Sequence, residues 1–220
     1  MNGKSQEKTF RIAIICEGQE EVMYIQSLIN LGVFNPRYEI IPALATSGSD
    51  DRVGGAGNIP AFFQDYLSKP FDAVFFLLDV DAEPHQAFAG VKKKIELIVG
   101  TAGFNRFALY TNPCTLQLMI LHFEKTALES QSKIANRSIV HRVWPKIKNY
   151  DAAKWQLDEM SYSFTPENYR KMKENAKGFL KEKKEETPSS NVVSFFENLE
   201  GDDDRLIKTL IAFLRKLQNQ

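Results

Sequence analysis

Four stretches of this chain are apolar at nearly every position yet too short for anything but strands: Phe10–Cys16, Tyr38–Leu44, 71–81 and 107–111. Runs without polar alternation describe strands buried on both faces, which belong mainly to parallel sheets. Between them the period changes. Val22, Ile25, Leu28 and Ile29 recur at helical spacing in 20–31, and Gly32 supplies a stop. Asn58 and Pro60 open a second helix to about residue 67, Glu83-Pro84 starts a third running to about 99, and 115–123 is so apolar that it reads as a buried helix. Strand and helix in strict alternation predict an α/β fold, a parallel sheet with helices on both faces.

Beyond Glu124 the alternation stops. The chain therefore divides into an α/β domain over 1–125 and a mainly helical C-terminal extension over 126–220 packed on it. Thr165-Pro166-Glu167 is a helix start, with Thr as N-cap and Pro in the first turn. Along that helix Arg170, Lys173, Lys177 and Lys181 form a stripe at steps of three and four. Interleaved Glu174, Glu182 and Glu185 suit a solvated face, and the stripe's functional alternative is a nucleic-acid contact to the phosphate backbone. Asp202 to Asp204 introduce a last amphipathic helix over 205–217. Its apolar side is expected on the sheet, with a homodimer contact as the alternative.

Composition narrows the function classes. Among 220 residues, 28 Lys and Arg balance 28 Asp and Glu, which excludes nucleic-acid binding through bulk positive charge and leaves local patches or metal bridges. Cys16 and Cys114 lie in apolar segments without metal-ligand spacing and read as reduced thiols of a cytoplasmic protein. No apolar run approaches the ~18 residues of a membrane span, so no membrane partner is expected. The glycine-rich stretch 46–58 lacks the Gly-Lys-Ser/Thr ending of a P-loop and reads as a mobile surface loop, at most a flap over a neighbouring site. His122, on an apolar helix, reads as a hydrogen-bonded core residue.

Candidate chemistry sits at the strand ends. Side chains alternate along a strand, so Asp79 and Asp81 point the same way, roughly 6–7 Å apart. At the end of the first strand, Gly18 permits a sharp turn into a helix, and Glu21 lies one turn beyond Glu17. Ligands of open parallel sheets bind at the carboxyl ends of the strands. Glu17, Glu21, Asp79 and Asp81 thus converge on one edge, with no Lys or Arg in either motif, as suits Mg²⁺ or Mn²⁺.

Ile14-Ile15-Cys16-Glu17-Gly18-Gln19-Glu20-Glu21, followed by Asp79-Val80-Asp81 after an apolar strand, resembles the TOPRIM domain of topoisomerases, primases and OLD-type nucleases. Thr111-Asn112-Pro113-Cys114, Ile120 to Phe123, Glu174 to Lys177 and Pro188 to Val193 with Leu199 narrow the resemblance to the RloB-like branch, whose genes lie beside restriction and phage-defence systems. The resemblance implies a Rossmann-like TOPRIM sheet and a metal-dependent nuclease, a hydrolase of DNA or RNA phosphodiesters using two metals. It implies Glu17, Asp79 and Asp81 as metal ligands, Glu21 as ligand or base, and Thr111 as a polar neighbour. A defence-system protein is the further implied partner. One position departs from the pattern: after Asn-Pro-Cys the relatives continue Phe-Glu, and here Thr115-Leu116 follows. The missing carboxylate leaves open an alternative, a non-catalytic TOPRIM serving as a binding or regulatory module of a defence complex.

Overall fold

The computed structural model describes residues 9–218 apart from 48–49, 81–85, 127, 129–132 and 180–189. Strand β1 (Phe10–Cys16) leads into helix α1 (Gln19–Asn30) and strand β2 (Tyr38–Leu44). Two short strands follow, β3 (Thr46–Ser47) and β4 (Asp50–Gly54), then a 3-10 turn at Ala56–Asn58 and α2 (Ile59–Leu67). Next come β5 (Ala73–Asp79), α3 (Gln86–Phe107), β6 (Ala108–Thr111) and α4 (Thr115–Leu121). The rest is helical: α5 (Lys133–Val143), α6 (Lys154–Ser161), α7 (Pro166–Phe179), α8 (Val192–Glu200) and α9 (Arg205–Gln218).

β1, β2, β5 and β6 form one parallel sheet in the order β2-β1-β5-β6. The strand expected over 71–81 is shorter, because pairing with β1 begins at Ile12 opposite Ala73. Phe71 instead stacks on Tyr66, and Asp72 turns the chain by bonding the Arg11 backbone in both directions. Asp81 and the helix start expected at Glu83-Pro84 lie outside the described residues.

Alternation along β5 builds both faces. Phe75 meets Phe195 of α8 at 4.5 Å between ring centroids, on the face that α1 shares through Tyr24 and Phe196. Phe76 points the other way, to Phe63 of α2 at 5.3 Å and Phe104 of α3 at 5.7 Å. This is the α/β sandwich the apolar runs predict. α9 covers the second face as well, with Phe213 5.8 Å from Phe107, so its apolar side does dock on the sheet domain.

Two local expectations are corrected. Phe107 ends a helix and does not start β6, because α3 resumes after a kink at Gly100, where φ is +74°. The glycine-rich stretch is not a plain surface loop, since β3 and β4 pair antiparallel with Thr46 opposite Gly54. Gly54 is pressed into the sheet edge. A β carbon there would stand 2.2 Å from the Glu17 carbonyl oxygen and 2.8 Å from Leu44 Cδ1, so only glycine fits.

Residues 1–125 and 126–220 share one apolar core. Asn191 ties them at the edge of β6 by imitating a further strand. Its Oδ1 accepts from the Tyr110 N–H at 2.8 Å, its Nδ2 donates to the Ala108 carbonyl at 2.8 Å, and its own N–H donates to the Tyr110 carbonyl at 3.1 Å. An edge strand otherwise offers those groups to any passing chain. The expected cap of α7 is present and reciprocal, with Thr165 Oγ1 accepting from the Asn168 N–H and Asn168 Oδ1 accepting from the Thr165 N–H.

Candidate metal centre

The chain leaves β1 at Glu17 and enters α1 after Gly18, whose extended backbone makes the N-cap. Glu21 reaches back to that cap, its Oε2 accepting from the Gly18 N–H at 2.7 Å, and is thereby buried at the carboxyl edge of the sheet. Glu20 projects from the same first turn. Tyr150, buried in the segment before α6, donates its hydroxyl to Glu20 Oε2 and holds that carboxylate in place.

Asp79 closes β5. Three donors converge on its Oδ1: Thr111 Oγ1 at 2.5 Å, the Thr115 N–H at 3.0 Å and Thr115 Oγ1 at 3.0 Å. Two of these come from Thr115, the first residue of α4, whose backbone N–H has no partner within the helix. Glu20, Glu21 and Asp79 each offer an oxygen within 4.8 Å of the others. A cleft of about 140 Å³ opens onto Glu20 and Asp79, with Glu21 buried behind them, walled by Leu116 and Cys114 and by Asn136, Tyr150 and Asp151 of the C-terminal half.

The electrostatics fit a cation. Burial, and next the Glu17 carboxylate, push the Glu21 pKa up from 4.5 to about 7, against hydrogen bonds from backbone N–H groups and the Thr115 hydroxyl. Burial and Glu21 likewise raise the Cys16 thiol. Glu20, Glu21 and Asp79 are an all-oxygen donor set that could hold a metal ion. No lysine or arginine lines the cleft among the described residues.

The predicted site residues are distributed unevenly. Glu21 and Asp79 come together. Glu17 sits close enough to Glu21 to raise its pKa but stands outside the three-oxygen group. Asp81 is outside the described residues, and Thr111 is the polar neighbour of Asp79. Of the basic stripe, Arg170 and Lys177 are exposed, Lys181 lies outside the described residues, and Lys173 is tied to Glu200 at 2.6 Å. None of the described three lines the acidic cleft. His122 is a core residue, its Nε2 3.0 Å from the Tyr24 hydroxyl and its Nδ1 2.9 Å from Asn168 Oδ1, and burial lowers its pKa to about 4.

Glu20, Tyr150 and Asp151 are the site residues that sequence reasoning missed. Glu20 carried a usable signal, since it neighbours Glu21 on the first turn of a helix that starts at the binding edge. Among the described residues no helix is long and apolar enough to cross a membrane. Compared with protein-family models, curated proteins and solved structures, the chain matches none.

Proposed function

We propose that this protein is a Mg²⁺- or Mn²⁺-dependent nuclease, hydrolysing phosphodiester bonds of DNA or RNA in a restriction or phage-defence setting. The observation that carries the reading is the approach of Glu20, Glu21 and Asp79 oxygens to within 4.8 Å of one another at the carboxyl edge of a parallel sheet. The TOPRIM and RloB-like motifs support it. Glu20, Glu21 and Asp79 would hold the ion, which supplies charge stabilisation to the phosphate and acidifies attacking water. Thr111 and Thr115 fix the direction of Asp79, Tyr150 fixes Glu20, and Glu17 keeps Glu21 receptive to a cation. Asp151 on the cleft wall is a further carboxylate for a two-metal arrangement. A cytoplasmic location goes with this reading, and both cysteines are free and buried.

The test is cleavage of end-labelled single- and double-stranded DNA and RNA with Mg²⁺, Mn²⁺ or EDTA, by wild type and Asp79→Asn. Cleavage that needs the metal and disappears in Asp79→Asn is expected. Cleavage that survives in EDTA or in the variant, or no cleavage of any substrate, overturns the proposal. A second reading, a non-catalytic binding module of a defence complex, draws on Leu116, which puts an apolar wall where the motif's relatives carry glutamate. It predicts a stable partner on purification and a cation bound without cleavage.

A further inference from the structure

An acidic cleft on a chain of zero net charge cannot hold a polyanion by bulk attraction, so a nucleic-acid substrate needs another source of affinity. The surface beside the cleft offers one. α6 buries Gln156, Leu157 and Met160 on its inner side. Trp155 and Tyr162, which caps the helix at its C-terminal end with helical backbone angles, are seven residues apart and at 100° per residue fall on the opposite side about 10 Å apart along the axis. Trp155 is 54% exposed and Tyr162 87% exposed. Leu97, the other large exposed apolar side chain among the described residues, lies on α3. A single exposed apolar residue is ordinary, whereas two aromatic rings in line on one helix face are not.

Position and charge select the occupant. Asp151 and Ala152 line the cleft, and Trp155 follows Ala152 by three residues, at most about 11 Å away along the chain. The two acids of the outer face are each held by a lysine, Asp158 by Lys154 at 2.7 Å and Glu159 by Lys146 at 2.8 Å. Those lysine side chains are 88% and 75% exposed, and exposed ion pairs are weak enough to exchange a carboxylate for a phosphate. Residues 133–162 carry six Lys and Arg against three Asp and Glu, and after Arg142 is set against its partner Glu124 outside that span an excess of two cations remains that the chain as a whole lacks. Exposed rings beside flexible cations suit unpaired bases on a phosphate backbone, because every base presents a π face once it is unstacked. We propose that the outer face of α6 is a stacking platform for single-stranded nucleic acid leading into the acidic cleft. The inference rests on the nuclease reading and names its substrate class.

Trp155 and Trp144 are the two tryptophans, and Trp144 is buried against Phe123 with its N–H on Ser163. Fluorescence therefore reports the platform. Titrating full-length protein in EDTA with an oligothymidine and an oligouridine should quench wild type and leave the remaining tryptophan of Trp155→Phe unquenched. By fluorescence anisotropy, Trp155→Phe should keep most of the affinity and Trp155→Ala should lose roughly 5- to 100-fold. Duplex of the same length should bind more weakly than the single strand. Unaltered affinity in a folded Trp155→Ala, or preference for duplex, overturns the platform. A wild-type dimer that Trp155→Ala makes monomeric also overturns it, the face then being a contact between copies. Because EDTA removes any need for the cation, the two readings fail separately. Quenching without cleavage sinks only the nuclease, and cleavage with unaltered Trp155→Ala binding sinks only the platform.

Discussion

Glu21→Gln tests the electrostatics of the site through the stability of the whole chain. Gln keeps an acceptor for the Gly18 N–H and nearly the same volume, but removes the charge. In the folded protein Glu21 ionises at about 7 against 4.5 for an ordinary glutamate, because burial and Glu17 disfavour the anion. The raised value means that its contribution is fully present below about pH 4.5 and is lost as pH rises through about 7. The shift corresponds to a cost of about 3 kcal/mol for the anion at high pH. His122 opposes it. With its pKa lowered to about 4 from 6.5, its contribution is present above 6.5 and lost as pH falls toward 4. Between about 4.5 and 6.5 the two slopes oppose each other in wild type. In chelator, denaturant melts from pH 4.5 to 8 should show Glu21→Gln matching wild type at the acid end and gaining ~3 kcal/mol over it by pH 8, roughly 6–12 °C in melting temperature for a chain of this size. A stability difference that does not change with pH would refute the reasoning.

Gly54→Ala should destabilise the protein by about 1–3 kcal/mol, since its β carbon would collide with the Glu17 carbonyl, and should weaken the response of the melt to Mn²⁺. Asn191→Ala strips partners from the Tyr110 N–H and the Ala108 carbonyl, and about 2–4 kcal/mol should be lost in a urea melt. Asn191→Asp, which keeps the acceptor but not the donor, should fall between. His122→Phe leaves the buried Tyr24 hydroxyl without its imidazole partner, for a loss of about 1–3 kcal/mol at pH 7.5 that shrinks as pH falls below 6.

The sheet was legible because its central strands are buried on both faces and therefore almost wholly apolar, as in Ala73–Leu78, whereas edge strand β2 exposes Glu39. The C-terminal helices were less so. α6 exposes Trp155 and buries Gln156, whose side chain bonds the Asp151 N–H, the Ala153 N–H and the Asn149 carbonyl. Its apolar residues consequently do not mark a single face. α8 has a strong apolar side, but nothing local announces that Asn191 before it will pair with β6 in place of a strand. In the candidate site, Glu21 and Asp79 could be read from strand ends and turn chemistry. Glu20 is placed by Tyr150, 130 positions along the chain, and no spacing rule reaches that far.

The most direct measurement is the thermal melt of wild type and Asp79→Asn, each in EDTA and in millimolar Mg²⁺ or Mn²⁺. An ion present at about a hundred times its dissociation constant adds about 2.7 kcal/mol to the folded state. The metal should raise the wild-type melt by several degrees and leave Asp79→Asn nearly unmoved, while metal-free Asp79→Asn should melt no lower than metal-free wild type. Equal responses of the two proteins, or none in either, would contradict a cation site built on Glu20, Glu21 and Asp79.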